Sequence, residues 1–337
     1  MRTVFTTMSI FNKPGPLREL LAARNLTYSW VLAQTGVKGK AAPEQSMAAL
    51  MAHAPDMEYL VIDTTPLDET FFRAAKKLRL AAMFGVGLDH IDVAAATERG
   101  VLVTNVPGGN SRCVAELVLA MMLDLAHKVT RMHMELAAGS WRPRMGSELM
   151  GKTLGVVGLG HIGRDVALLG RALGMRVIAA NRTPRPETAR ELGVEQATLD
   201  EVLAESDFLS LHIPGGPGSW HFGSAEIAQM KKTAFLINAA RGDLVDLDAL
   251  TAALTEDRLA GAGLDVFPEE PMNLAHPVFS LPNVVATPHA GAMSGEALAR
   301  VTAACLDEAV RVLDGKKSPN ARNPEIYATP RWVGFRG

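Results

Sequence analysis

Short β-branched or apolar runs alternate with longer Ala/Leu-rich segments along almost the whole chain of 337 residues. Parallel strands must be joined by long crossovers, usually helices, so this alternation predicts an α/β protein with parallel sheets. In the first third, strands are expected at 4–7, 59–62, 79–84 and 101–103, with helices at 17–24, 44–53, 67–77 and 92–99. Gly100 stands where a helix C′ residue belongs. A turn-rich stretch, Asn105-Val106-Pro107-Gly108-Gly109-Asn110-Ser111, leads into an apolar segment from Cys113 to about Ala138. As a single helix that segment would span about 39 Å. A second α/β series follows, with strands at 153–157, 176–179, 208–211, 234–237, 263–266 and 284–286. Its helices are expected at 162–173, 186–192, 199–205, 225–230 and 246–255, and a last one at 295–313. The tail from 320 to 337 is expected to pack irregularly on the surface. At about 150 residues per domain, the length predicts two domains.

Composition narrows the function classes. Hydrophobic residues make up 48% and charged residues 21%, which excludes a disordered chain or a disulfide-stapled mini-protein. Lys and Arg number 34 against 36 Asp and Glu, for a formal charge of -2, so nothing pulls on nucleic acid or on an anionic membrane. The two cysteines, Cys113 and Cys305, read as small apolar residues in a reducing compartment. With no CxxC and no Cys/His ligand spacing, no metal site is expected. Met1-Arg2-Thr3-Val4-Phe5 reads as a first strand rather than a signal peptide, because Asn12-Lys13-Pro14-Gly15-Pro16 breaks the run. No uncharged window reaches about 18 residues, so no membrane span and a cytoplasmic location are expected.

Gly158-Leu159-Gly160-His161-Ile162-Gly163 is a GxGxxG placed between a buried strand pattern and a helix. That context reads as a dinucleotide-binding turn. Gly158 permits the tight turn, Gly160 lets the backbone approach a pyrophosphate, and Gly163 lets helix and strand pack closely. The N–H groups at the helix start, His161 and Ile162 among them, would hold the phosphates. About 20 residues further on, an acid would bind a ribose 2′-hydroxyl and repel a 2′-phosphate. Here the next strand runs instead into Asn181-Arg182-Thr183-Pro184-Arg185. Asn181 removes the repulsion, and Arg182, helped by Thr183 or Arg185, would neutralise a 2′-phosphate. NADP(H) is therefore expected to be preferred, with NAD(H) the alternative.

Three segments then fall at strand ends: Asn238-Ala239-Ala240-Arg241-Gly242, Asp265-Val266-Phe267-Pro268-Glu269-Glu270-Pro271 and Thr287-Pro288-His289-Ala290-Gly291. Ligands of open α/β sheets bind beyond the carboxyl ends of the strands. Reducing a carbonyl in an anionic substrate needs a carboxylate clamp, a proton donor and a hydride source, and Arg, Glu and His supply the first two. With Gly85-Val86-Gly87-Leu88-Asp89-His90-Ile91-Asp92 and Val114-Ala115-Glu116, the series resembles the D-isomer-specific 2-hydroxyacid dehydrogenases from about Leu60 to Leu313.

The resemblance implies a Rossmann dinucleotide-binding lobe, residues 106–291, inserted into a flavodoxin-like substrate-binding lobe, residues 1–105 and 292–337. The two would close over cofactor and acid. It implies that Arg241 binds the substrate carboxylate and keto oxygen, and that His289 is general acid in reduction and base in oxidation. Glu270, rather than its neighbour Glu269, would orient His289 and favour its protonated form. Val86 and Gly87 would offer backbone N–H groups to the substrate carboxylate. Asp265 would meet the nicotinamide carboxamide, and Pro214, Ala239 and Ala240 would line the cofactor site. Asn110 and Ser111 are expected near the hinge. A homodimer is implied, through the helix around Met121 to Met134 and the Gly139-Ser140-Trp141 loop.

Two departures bear on the substrate. The loop from Ile213 to His221 is richer in Gly and Pro than the family's threonine-containing loop. Ile62-Asp63-Thr64-Thr65 carries no arginine for a phosphorylated substrate. A small 2-keto acid such as glyoxylate or hydroxypyruvate is therefore expected. The rival from another class is a nucleotide-sensing dimeric binding module, corepressor-like, without significant turnover. A formate dehydrogenase is a weaker rival, because that chemistry needs no proton donor.

Overall fold

In the computed structural model, residues 2–7, 16–31, 43–216 and 218–337 are described. Of the stretch from Asn12 to Pro16 that interrupts the first strand pattern, residues 12–15 lie outside them, as does Pro217 of the Gly/Pro-rich loop. The chain forms two compact units, one of residues 1–110 with 294–337 and one of residues 111–293.

The first unit begins with β1 (Arg2–Thr6), α1 (Pro16–Ala22), β2 (Leu26–Trp30), α2 (Pro43–His53) and β3 (Tyr59–Ile62). It continues with α3 (Glu69–Ala74), β4 (Leu80–Met83), α4 (Val93–Glu98) and β5 (Leu102–Thr104). All five strands are parallel, in the order β2-β1-β3-β4-β5, the flavodoxin-like winding. The central strands are buried on both faces, and their side chains alternate between two cores. Tyr59 and Val61 face one core, while Leu60 and Ile62 face the other with Phe71 and Phe72 of α3. Asp68 and Asp92 start α3 and α4 by accepting the Phe71 and Ala95 N–H groups.

The second unit comprises α5 (Ser111–His127), α6 (Val129–Ala137), β6 (Thr153–Val157), α7 (His161–Ala172) and β7 (Arg176–Ala180). Then come α8 (Pro186–Leu192), β8 (Glu195–Gln196), α9 (Leu199–Glu205), β9 (Phe208–Leu211), α10 (Ser224–Gln229) and β10 (Phe235–Asn238). The unit closes with α11 (Leu247–Thr255), β11 (Gly261–Leu264) and β12 (Val284–Ala286). Its seven parallel strands run β12-β11-β10-β9-β6-β7-β8, the Rossmann order with one strand added. The order reverses between β6 and β9, so a crevice opens beyond their carboxyl ends. The chain then re-enters the first unit as α12 (Gly295–Leu313), capped by Ser294 and buried along Val301, Cys305, Ala309 and Val312.

The single 39 Å helix is corrected. Lys128 adopts φ 57°, a left-handed conformation that ends α5, and α6 starts afresh. The Asp124 carboxylate makes the break, accepting the Thr130 N–H at 2.7 Å and the Thr130 hydroxyl at 2.6 Å. Apolar content had masked this local cap. β2 and β8 also escaped the sequence reading, since β2 mixes polar and apolar residues and β8 has two residues.

The tail is likewise more than a surface coil. Residues 321–323 lie along edge strand β5: Thr104 bridges Ala321 antiparallel, and Arg322 N–H donates to the Val103 carbonyl. Asn323, fully buried, accepts from Val103 N–H and donates to the Val101 carbonyl and Thr97 hydroxyl. Trp332 is also fully buried, its indole N–H on the Gly100 carbonyl and Arg79 stacked over its ring. Truncating so large a buried side chain leaves a cavity and removes one of the two donors to the Gly100 carbonyl. Trp332→Ala is expected to lower the unfolding free energy by about 3–5 kcal/mol, read from equilibrium denaturant curves.

Candidate active site

Strand β6 ends at Val157, and the chain enters α7 four residues later. Gly158 makes the turn at φ 102°, where a Cβ would also lie 2.5 Å from the His212 carbonyl oxygen. Gly163 lies so close to the Gly158 carbonyl that a Cβ would sit 1.9 Å from its oxygen. Gly160 is the N-cap of α7 and differs from both: a Cβ on it would meet nothing within 4 Å. No side chain caps this helix, so the first N–H groups of α7, with their positive dipole end, remain for an anion. Open space over Gly160 and an uncapped twelve-residue helix fit a bound pyrophosphate.

Beside the turn lies a cavity of about 620 Å³, walled by Val157, Ala180, Ile213 and Trp220 and edged by Asn181 and Arg182. That is the size and character of a small-molecule site. The Asn181 side-chain oxygen accepts the Leu159 N–H at 2.7 Å, which settles which end of the amide is which. Its Nδ2 is buried with no partner among the described residues, a donor left for a ligand. Arg182 and Thr183 are exposed, and among the described residues Arg182 forms no ion pair. Pro214 stands exposed at the start of the Gly/Pro-rich loop. Asp243 pins that loop by accepting the Gly216 N–H at 2.6 Å. Sequence reading missed Asp243, although it lies two residues beyond Arg241.

The same sheet edge carries the polar groups singled out above. Asn238, the last residue of β10, donates to the Arg241 carbonyl and accepts the Ala240 N–H, so it shapes the 239–241 turn. Ala239 and Ala240 are buried in that turn. Arg241 Nη1 donates to the Ala240 carbonyl at 2.7 Å. Gly242 presses on the backbone of Phe267, where a Cβ would lie 1.9 Å from the carbonyl carbon. This contact seats the Arg241 turn against the loop that bears Glu270.

Glu270 Oε1 accepts the Phe267 N–H, and Glu270 Oε2 pairs with His289 Nδ1 at 2.6 Å. A carboxylate only accepts, so Nδ1 carries the proton and Nε2 is the ring atom turned to other partners. His289 sits at φ 52°, a conformation rare for a non-glycine residue. Asp265 holds it there. Its carbonyl accepts the His289 N–H, and its buried carboxylate takes Thr287 Oγ1, Ala290 N–H and Gly291 N–H. Asp265 thus spends three of about four acceptor positions inside the protein. Its sequence signal was a lone acid directly after a buried strand.

His212 stands near the same edge, but burial pushes its imidazole down to about 3, so the ring is neutral. Its Nε2 is paired with the Ser210 hydroxyl at 2.8 Å. His161 sits on the first turn of α7, with Ile162 beside it.

Val86 and Gly87 belong to the other unit. There the loop after β4 is tied down by Phe84 N–H on the Ile62 carbonyl and Val106 N–H on the Gly85 carbonyl. Val86 is 38% exposed. Asn110 closes that unit and Ser111 opens the next. Among the described residues no group of His, Cys, Asp and Glu could hold a metal ion, and no helix is long and apolar enough to cross a membrane.

This geometry is that of a nicotinamide-dinucleotide dehydrogenase, and the comparisons agree. The family described as D-isomer specific 2-hydroxyacid dehydrogenase, NAD binding domain, matches residues 119–291. A glyoxylate reductase of Korarchaeum cryptofilum is 38% identical over 307 residues, 89% of this chain and 92% of that protein. A hydroxypyruvate reductase of Thermotoga maritima is 41% identical over 258 residues, 75% of this chain and 83% of that protein. A crystal structure from Thermus thermophilus superposes with a TM-score of 0.83 at 35% identity, covering 96% of this chain and 100% of that one. The chain belongs to the D-isomer-specific 2-hydroxyacid dehydrogenase family, and it is an enzyme of that class.

The two glycines of the turn separate folding from binding. Gly160→Ala is expected to keep the parent melting temperature but to weaken dinucleotide binding at least about tenfold, since its Cβ would occupy the phosphate approach. Gly163→Ala is expected to lower the melting temperature as well. Thermal unfolding and dinucleotide titration of both variants check this.

Proposed function

We propose that this enzyme reduces a small, unphosphorylated 2-keto acid of the glyoxylate or hydroxypyruvate type to the D-2-hydroxy acid, and catalyses the reverse oxidation. The observation that carries the reading is the 2.6 Å pair of Glu270 and His289 on the sheet edge that also bears Arg241 and the glycine turn. The dinucleotide, when bound along residues 158–163 and the Asn181 cavity, supplies the hydride. The planar guanidinium of Arg241 grips the substrate carboxylate and polarises the keto oxygen. Reduction uses the ring protonated at both nitrogens: His289 gives the Nε2 proton to the keto oxygen as hydride reaches the carbon, is left neutral with Nδ1–H on Glu270, and takes the proton back in oxidation. Glu270 accepts from Nδ1 and so fixes the orientation and the tautomer of the ring. Asp265 holds the His289 loop and keeps one acceptor position for a carboxamide. Ala239, Ala240 and Pro214 border the cofactor, and the backbone N–H groups of Val86 and Gly87 bind the substrate carboxylate.

Several observations favour the substrate class. Two of the relatives carry the names of the corresponding reductases. At the carboxyl edge of β3, Asp63 binds the Thr65 N–H and hydroxyl, so a carboxylate stands where a phosphorylated substrate would want a cation. NADPH is the preferred cofactor in this reading. Asn181 replaces the repelling acid, and the exposed Arg182 is available to a 2′-phosphate. The protein acts as a cytoplasmic homodimer. Val129 and Leu136 are exposed on one side of α6 at i, i+7 spacing, and Met134 on the same helix and Trp141 after it are exposed as well, apolar surface that a second copy would cover.

His289→Ala is expected to cut kcat for NADPH-dependent glyoxylate reduction by roughly 10²–10⁴-fold while leaving the NADPH dissociation constant unchanged. Unchanged turnover, followed by NADPH absorbance, would remove the acid role. A parent protein that binds NADPH yet turns over no 2-keto acid would favour the binding-module rival. The double change Asn181→Asp, Arg182→Ala is expected to shift the NADPH/NADH ratio of kcat/KM toward NADH by more than about tenfold, as an installed acid and a lost guanidinium together imply. An unmoved ratio would defeat the 2′-phosphate reading.

A further inference from the structure

The substrate loop of the first unit is held by a side chain from the far end of the sequence. Asn105, buried directly after β5, donates from Nδ2 to the Val86 carbonyl at 2.6 Å. Its Oδ1 accepts from Arg322 Nε at 2.7 Å. Arg322 is fixed in turn by its own N–H on the Val103 carbonyl and by the neighbouring Asn323 network on β5. An amide can rotate end for end, and nothing in its shape prefers one orientation; its hydrogen-bond partners decide. Arg322 can only donate, so it demands the oxygen of Asn105. The amide NH₂ must then face Val86. Turned the other way, two oxygens would confront each other and the Val86 carbonyl would lose its donor.

We propose that Arg322 is a positioning residue for the reaction: by setting the Asn105 amide it fixes the 85–87 loop, and hence the direction of the Val86 and Gly87 N–H groups toward a substrate carboxylate. Gly85, at φ 146°, gives this loop a backbone that other residues rarely adopt, and the Asn105 amide adds a side-chain brace to the loop's backbone hydrogen bonds. The proposal rests on the reading of Val86 and Gly87 as carboxylate donors. It assigns the C-terminal segment a role in substrate affinity without contact to substrate.

Two substitutions at one position separate hydrogen bonding from charge. Gln places its Nε2 the same number of bonds from the backbone as the Arg Nε, so Arg322→Gln keeps the donor and loses the charge. Arg322→Leu loses both. In Arg322→Leu the KM for glyoxylate is expected to rise about fivefold to tenfold, the effect of one hydrogen bond. The kcat and the KM for NADPH should stay within about twofold of the parent, and oxamate, an unreactive mimic of a 2-keto acid, should weaken in parallel with glyoxylate. Arg322→Gln should restore the parent KM. Hydrogen exchange of the 84–89 segment reads the same brace without turnover, and it should quicken in Arg322→Leu and return to the parent rate in Arg322→Gln. An unchanged KM and exchange rate in Arg322→Leu, or a Gln variant as impaired as the Leu variant, would overturn the proposal. A parent with no reductase activity would instead remove the proposed function, and the exchange rates alone would then decide the brace.

Discussion

A buried carboxylate, Asp265, is the constraint from which the proposed chemistry follows. It follows β11 directly, and four donations converge on it, three of them at the carboxylate. Without those donors an acid at 1% exposure would be costly. With them it ties Thr287, His289, Ala290 and Gly291 into one shape and holds His289 in a backbone conformation that side chains avoid. The imidazole therefore meets Glu270 from a loop whose shape Asp265 sets. On the neighbouring strand Asn238 has the same role, holding the Arg241 turn from below.

Parallel winding explains why such braces cluster on one edge. Every strand of the Rossmann unit points the same way, so every strand delivers its last residue and the following loop to the same side. These strands are built mostly of buried Val, Ile, Leu and Ala, and the polar groups of the site stand where the pairing ends. Asn181, Asn238 and Asp265 each stand at such an ending. Each satisfies nearby backbone N–H groups first, and the orphan Nδ2 of Asn181 is what remains for a ligand.

The first unit solves a different problem. Its sheet ends in β5, an edge strand with unpaired backbone groups. Residues 321–323 cover part of that edge, and Trp332 and Ile326 sink into the core cluster beneath α12. A segment that sequence periodicity describes as irregular is in this way built into the core. The same cover brings Arg322 to Asn105, across more than two hundred positions of chain.

The sequence alone determined the local units. The strands at 59–62, 153–157, 208–211 and 284–286 and the helices at 186–192, 199–205 and 295–313 stand where hydrophobic pattern and caps put them. The glycine turn was legible from its strand–turn–helix context, while Arg241, Glu270 and His289 became candidates through their strand-end positions together with the family resemblance. Contacts between distant segments were not legible, since no periodicity encodes them. Only the tertiary structure decided that Lys128 breaks the long helix, because apolar content favours continuation while the Asp124 cap favours a new start. It alone decided that the tail is buried, because a few large side chains find a core that packing creates. And it alone decided which end of each buried amide faces which neighbour, because that choice belongs to the partners rather than to the residue.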